Sequence, residues 1–129
     1  MVTASLTNYR QSPRKVRLVA SLIKGKSVQA AMDMLGVTTK RASDPIAKLL
    51  ASAVANAKNL NIPLEGLFIK ECRVDLGLTM KRNMPGARGT GFPIKKKTSH
   101  VLLTLAPKAT KALKAPAKAK KAVASATTK

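Results

Sequence analysis

Acid is what this sequence has least of. Five carboxylates (Asp33, Asp44, Glu65, Glu71 and Asp75) stand against 25 lysines and arginines in 129 residues, and the formal net charge is +20. Thirteen of the cations follow Asp75 and no acid does, so the shorter remainder is the more charged part. Such an excess repels itself in a compact state, and it makes sense where a polyanion neutralises it. Aromatics are almost missing as well: Tyr9, Phe68 and Phe92 are the whole set. That argues against a binder that relies on a row of stacked bases. A single cysteine, Cys72, excludes an intramolecular disulfide, and its apolar surroundings suggest a small buried residue in a reducing compartment. His100 is the only histidine, with no acid near it in sequence. No Cys/His cluster for zinc exists, the glycines around Gly86 lack P-loop spacing, and the acids are too scattered for a metal or an acid/base pair. No cofactor is expected, and a hydrolase built on His100 or Cys72 is the weakest function class. No apolar run approaches the roughly 20 residues of a membrane span. The start, MVTASLTNYR, has no basic head before an apolar block, so no signal peptide and no membrane partner are expected.

What the chain does have is concentrated between Thr79 and Thr98, TMKRNMPGARGTGFPIKKKT. Lys81, Arg82, Arg88, Lys95, Lys96 and Lys97 lie there, with Gly86, Gly89, Gly91, Pro85 and Pro93 in the middle. Strand-like segments flank it at Phe68–Leu76 and Val101–Leu105. The pattern predicts a long hairpin whose outer half is too polar to bury itself, with glycines at the reversal. At about 3.3 Å per residue, Phe68 to the turn spans on the order of 50 Å, more than a small core can cover. An isolated ribbon of this kind is marginal in water. The expected partner is therefore nucleic acid lying beside it.

The rest reads as a small α+β domain, since the length suffices for one. Val2, Ala4 and Leu6 alternate as a strand. Ser12-Pro13 starts a helix to Gly25 that buries Val16, Val19, Ala20 and Ile23, widened by Leu18 and Leu22, and shows Arg14, Arg17 and Lys24 on the other side. Ser27 caps a short helix through Ala31, Met34 and Leu35, its methionines filling core. A third helix carries an apolar stripe of Ile46, Leu49, Leu50, Ala53, Ala57 and Leu60, beginning at Asp44-Pro45 or at Thr39. Glu65-Gly66 turns the chain. Phe68, Cys72, Val74 and Leu76 then face one way, with Lys70 out of pattern, and Ile69, Glu71, Arg73 and Asp75 face the other. From Ala106 the composition collapses to Ala, Lys, Thr and Pro, which predicts a disordered basic tail over 106–129 after a domain over 1–105.

Several of these stretches together resemble the bacterial-type large-subunit ribosomal protein twenty-two family. They are SPRKVRLVA at Ser12–Ala20 followed by Leu22–Lys26, Lys48-Leu49-Leu50 with SAVANA at Ser52–Ala57, Thr79–Arg82 with Ala87-Arg88-Gly89, and Pro93-Ile94 with KTSH at Lys97–His100. They cover about Thr7 to Leu105 in the family's order. The resemblance implies three helices packed on a small three-stranded antiparallel sheet, with a long protruding hairpin over about 76–100. It implies a structural constituent of the large ribosomal subunit that binds large-subunit rRNA and supports assembly. The hairpin would line the nascent-peptide exit tunnel, near where macrolide antibiotics bind. Neighbouring large-subunit proteins and the nascent polypeptide are the other implied partners, with no homo-oligomer. The implied setting is a cytoplasmic ribosome in preference to a plastid one. Carried over by position, the rRNA contacts are Arg10, Arg14, Lys15, Arg17, Lys24, Lys26, Lys81, Arg82, Arg88, Lys95, Lys96, Lys97 and His100. The tunnel tip is Met84, Pro85, Gly86, Ala87, Arg88, Gly89, Thr90 and Gly91. Met84, Gly86 and Thr90 stand where the family commonly has arginine, and Asn83 where it has an aromatic, which implies a less positive, looser tip. The alternative function is a histone-like DNA-binding protein with a hairpin arm and a Lys/Ala tail.

Overall fold

A computed structural model describes residues 1–64 and 66–107. Glu65, expected to turn the chain with Gly66, and residues 108–129, expected as the tail, lie outside the described residues. The element order is β1 (Val2–Tyr9), α1 (Pro13–Ile23), α2 (Val28–Val37), α3 (Ser43–Asn59), β2 (Leu67–Pro85), a 3-10 turn at Ala87–Gly89 and β3 (Gly91–Pro107). The strands form one antiparallel sheet in the order β1-β3-β2. β3 is central because both other strands pair with it: β1 along its inner half, from Ser99 to Leu105, and β2 out to the tip. β3 also runs two residues past Leu105, with Ala106 buried.

One face of the sheet carries Val2, Ala4, Ile69, Val74, Val101, Leu103 and Leu105, all buried against Val16, Val19, Ile23, Ile46, Leu50 and Ala53 of the helices. Alanines at 53 and 57 are wholly buried, which lets α3 approach β1 closely. Each helix begins much as its sequence suggests. Pro13 occupies the first helical position of α1, where its missing N–H costs nothing. The Ser27 hydroxyl accepts from the Ala30 N–H at 3.4 Å. α3 starts at Ser43 with Pro45 in its first turn, so the later of the two expected starts holds and no kink is needed.

Several side-chain placements differ from the sequence reading, Leu76 among them: it ends the apolar row of β2 yet is 61% exposed. Phe68 does not lead the buried face of β2; Leu67 and Ile69 do, at 2% and 0% exposure. The register shifts between Ile69 and Glu71, so Lys70 is an extra residue and the strand changes phase. Cys72 and Val74 thereby stay on the same side as Ile69. The out-of-pattern lysine was the signature of this bulge. Leu18 and Leu22 do not widen the core face of α1: they are 66% and 40% exposed. Eleven residues of helix packed on a narrow sheet bury a single stripe, and these two lie beyond its edge. Leu60, placed on the α3 stripe, caps the helix and is exposed.

A second shift between Leu76 and Thr79 marks the boundary between body and ribbon. Gly77 lies there, and a Cβ on it would sit 2.5 Å from Thr98 Oγ1 and 3.2 Å from the Thr98 carbonyl carbon. Only a residue without a side chain lets β2 lie this close to β3. The Thr98 hydroxyl donates to the Leu78 carbonyl at 2.7 Å and locks the bulge. Gly77→Val is expected to force the strands apart and cost about 1–3 kcal/mol, as overpacking does, read as a lowered urea midpoint with an unchanged denaturant slope.

Candidate nucleic-acid interface

Beyond the second bulge the ribbon stays paired from Thr79↔Lys97 to Pro85↔Gly91 without a further shift. No residue from Lys81 to Lys97 is buried. Directly opposed residues share a face, so the alternation along β3 can be followed outward. The row that reads Leu105, Leu103, Val101 and Ser99 in the body continues as Lys97 and Lys95. Its partners on β2 are Thr79 and Lys81. The face that buries apolar side chains against the helices thus becomes a row of lysines once the helices end.

This lysine row faces the start of α1. Arg10, Gln11, Ser12, Lys15, Arg41, Met80, Lys95, Lys96 and Lys97 line a cleft of about 730 Å³. Six of these residues are cations and none is an acid. Arg10 leaves β1 after a bulge in which Asn8 takes a left-handed φ of 56°, and this swings the chain toward the ribbon. Ser12 and Pro13 aim the α1 N-terminus at the same space, and the Ser12 side chain caps nothing. Helix dipole and cations therefore favour negative charge at one place. Arg41 is held by its backbone: the Tyr9 hydroxyl donates to its carbonyl at 3.3 Å. Burial raises the Tyr9 pKa, opposed by Arg41 and reinforced by Asp44, so the phenol keeps its proton. Only one ion pair occurs among the described residues, Arg73 with Asp75 at 3.0 Å, and it lies outside this cleft.

The thirteen residues expected to touch RNA do not share one place. Arg10, Lys15, Lys95, Lys96 and Lys97 converge on the cleft. Arg14 is exposed on α1. Lys24 and Lys26 are exposed beyond the other end of that helix, about 16 Å from its start at 1.5 Å per residue. Lys81, Arg82 and Arg88 are exposed along the ribbon. Arg88 sits at the apex with a φ of 55°, so the reversal uses an arginine and Gly89 in the left-handed region, and Gly86 and Gly91 do not contribute positive φ. Two residues have internal work. The Arg17 guanidinium donates from Nε and Nη2 to the Val74 carbonyl at 3.1 and 2.8 Å, tying α1 to β2. His100 Nδ1 accepts from the Asn8 N–H at 3.1 Å, which leaves only Nε2 for a partner. Arg41 was missed in sequence, although Lys40-Arg41 is a visible basic pair just before Ala42, the N-cap of α3. Arg17→Ala is expected to lose about 1.5 kcal/mol of stability in chemical denaturation, and Arg17→Lys, which cannot reproduce the paired donors, most of the same.

Hydrolytic chemistry has no support in the geometry. Cys72 is mostly buried opposite Leu103, and burial pushes its pKa up to about 11, with Lys24 pulling weakly the other way. A thiol so raised is protonated at neutral pH and is a poor nucleophile. Its folded pKa exceeds the unfolded one, so its contribution to stability is complete below the ordinary thiol value and is lost as pH rises toward 11. Alkylation at pH 8 is expected to be roughly a hundredfold slower in the native protein than in urea. Among the described residues no group of His, Cys, Asp and Glu could hold a metal ion, and no helix is long and apolar enough to cross a membrane.

Residues 4–106 match the pattern of the family described as ribosomal protein L22p/L17e. The large ribosomal subunit protein uL22 of Deinococcus radiodurans is 52% identical over 103 residues, spanning 79% of this chain and 77% of its own. That of Acholeplasma laidlawii is 50% identical over 98 residues, 75% of this chain and 88% of its own. That of Myxococcus xanthus is 47% identical over 107 residues, 81% and 94% respectively. The matched span takes in the three helices, the whole basic ribbon and all but the outermost residues of the sheet. With agreement of that extent, the chain belongs to the L22p/L17e family of ribosomal proteins, which are structural components and not enzymes.

Proposed function

We propose that this protein is a structural constituent of the large ribosomal subunit, that it binds large-subunit rRNA and supports subunit assembly, and that its ribbon reaches the wall of the nascent-peptide exit tunnel. The observation that carries this reading is the ribbon itself. It is strand-paired to its tip, yet from Lys81 to Lys97 it buries nothing and holds six cations and no acid. A segment with that chemistry gains its stability from an anionic surface outside the chain. RNA helices offer phosphates and 2′-hydroxyls on their surface and hide base edges in a deep major groove, so a donor-rich ribbon suits their shape. Relatives that carry the name of a large-subunit protein favour RNA over DNA as the polyanion.

The roles follow from position. Arg10, Lys15, Arg41, Lys95, Lys96 and Lys97 would seat one stretch of backbone in the cleft. Lys81, Arg82 and Arg88 would follow RNA outward, and Arg14, Lys24 and Lys26 would meet a separate segment along α1. Residues Met84 to Gly91 would form the tunnel-facing tip. The setting is a ribosome of the cytoplasm, with neighbouring large-subunit proteins as further partners.

The test is cosedimentation with large subunits after a high-salt wash. A threaded ribbon stays bound; loosely attracted polycations are released, because exposed charges are screened within about 3 Å at 1 M salt. Release in the wash, or crosslinking to chromosomal DNA in place of rRNA, would overturn the reading.

A further inference from the structure

The second face of the ribbon differs from the lysine row. Met84 pairs with Phe92 and Arg82 with Ile94, and these four side chains share the face that continues the helix-free side of the sheet. Met84, Phe92 and Ile94 are 51%, 56% and 41% exposed. They form an apolar platform at the end of an otherwise polar arm. The platform is built and not merely left over. A Cβ on Gly86 would lie 2.3 Å from Phe92 Cε2 and 2.7 Å from Cδ2, so the ring rests on the glycine backbone. The Gly86 N–H donates to the Thr90 carbonyl at 2.7 Å, and the Thr90 hydroxyl to the Ala87 carbonyl at 2.9 Å, which closes the tip beneath the ring. Gly86, having no side chain, leaves room for the aromatic ring beside it.

We propose that this platform is a site for one unpaired nucleotide of the RNA, resting on the reading of the chain as an rRNA binder. The base stacks on the exposed side of Phe92, flanked by Met84 and Ile94. Its phosphate meets Arg82, one cross-strand pair inboard at about 7 Å along the strand, a distance comparable to the reach from a base to its own phosphate. The Arg82 guanidinium spends one donor on the Lys81 carbonyl, at 2.9 Å, and keeps the others free. A cation next to an exposed aromatic favours a nucleotide over an uncharged apolar peptide, because each half of the nucleotide finds its complement. A single aromatic is consistent with one base and not with a tract.

The full-length protein would be titrated with a short single-stranded RNA carrying 2-aminopurine and with an RNA duplex of equal length, at fixed low salt. Phe92→Ala is expected to weaken single-strand binding about tenfold, within the range for loss of one stacked base, and to leave duplex binding unchanged. Phe92→Tyr restores the affinity and the 2-aminopurine quenching. Arg82→Gln weakens both RNAs and lowers the salt dependence by about one phosphate contact. Equal affinities of Phe92→Ala and the unmodified protein for the single strand would overturn the nucleotide site while leaving RNA binding intact. So would Phe92→Ala keeping those affinities but losing crosslinks to a nascent peptide in assembled ribosomes, which would assign the platform to peptide. Binding of neither RNA by the unmodified protein would overturn the wider reading as well.

Discussion

Replacing Lys81, Lys95, Lys96 and Lys97 together by glutamine is expected to lower affinity for large-subunit rRNA by roughly a thousandfold at 0.1 M salt and to flatten its salt dependence by about three in the log–log slope. Each phosphate neutralised by a cation contributes about 0.7–0.9 to that slope, and four such contacts are removed at once. The four side chains are exposed, and three of them line the cleft. Thermal stability should stay unchanged or rise slightly, since the cations repel one another in the free protein. A filter-binding salt series and a melting curve on the same preparation check both halves. Unaltered affinity would mean that the ribbon is not the electrostatic contact.

Leu103→Ala is expected to do the reverse. Leu103 is wholly buried on the central strand, opposite Cys72 and Ala4 and beneath the helices. Truncation there costs about 2–5 kcal/mol, a large part of the 5–15 kcal/mol by which a domain of this size is stable. The measurement is the urea midpoint, compared with Ile94→Ala on the same strand, expected to change stability by less than about 0.5 kcal/mol because Ile94 is 41% exposed and touches no core. RNA binding by Leu103→Ala should scale with the folded fraction and keep its salt slope. Folding thus depends on the inner half of β3 and binding on the outer half.

That division was legible in the residues. The run of Val101, Leu103 and Leu105 against Lys95 and Lys97 announces an apolar row giving way to a charged one, and a strand's period of two is too simple to hide it. The helix starts at Pro13 and after Ser27 were equally clear, because a proline in the first turn and a capping serine are local chemistry. The failures came where one residue changed the phase or where packing area ran out. Lys70 looked like a defect in an alternating pattern and is the extra residue of a bulge, which only its pairing across to β3 reveals. Leu18 and Leu22 satisfy helical spacing, and their exposure depends on how much sheet lies under α1.

The sequence by itself determined the three helices, the hairpin and the acid-free arm, since propensity, periodicity and charge count are properties of neighbouring residues. The tertiary structure alone decided which cations act together. Arg10, Lys15, Arg41 and Lys95–97 come from four separate elements, and they meet because two bulges and the N-terminus of α1 aim them into one cleft. It also decided that the Phe92 ring packs against Gly86, a contact between residues six apart that exists only once the hairpin has closed.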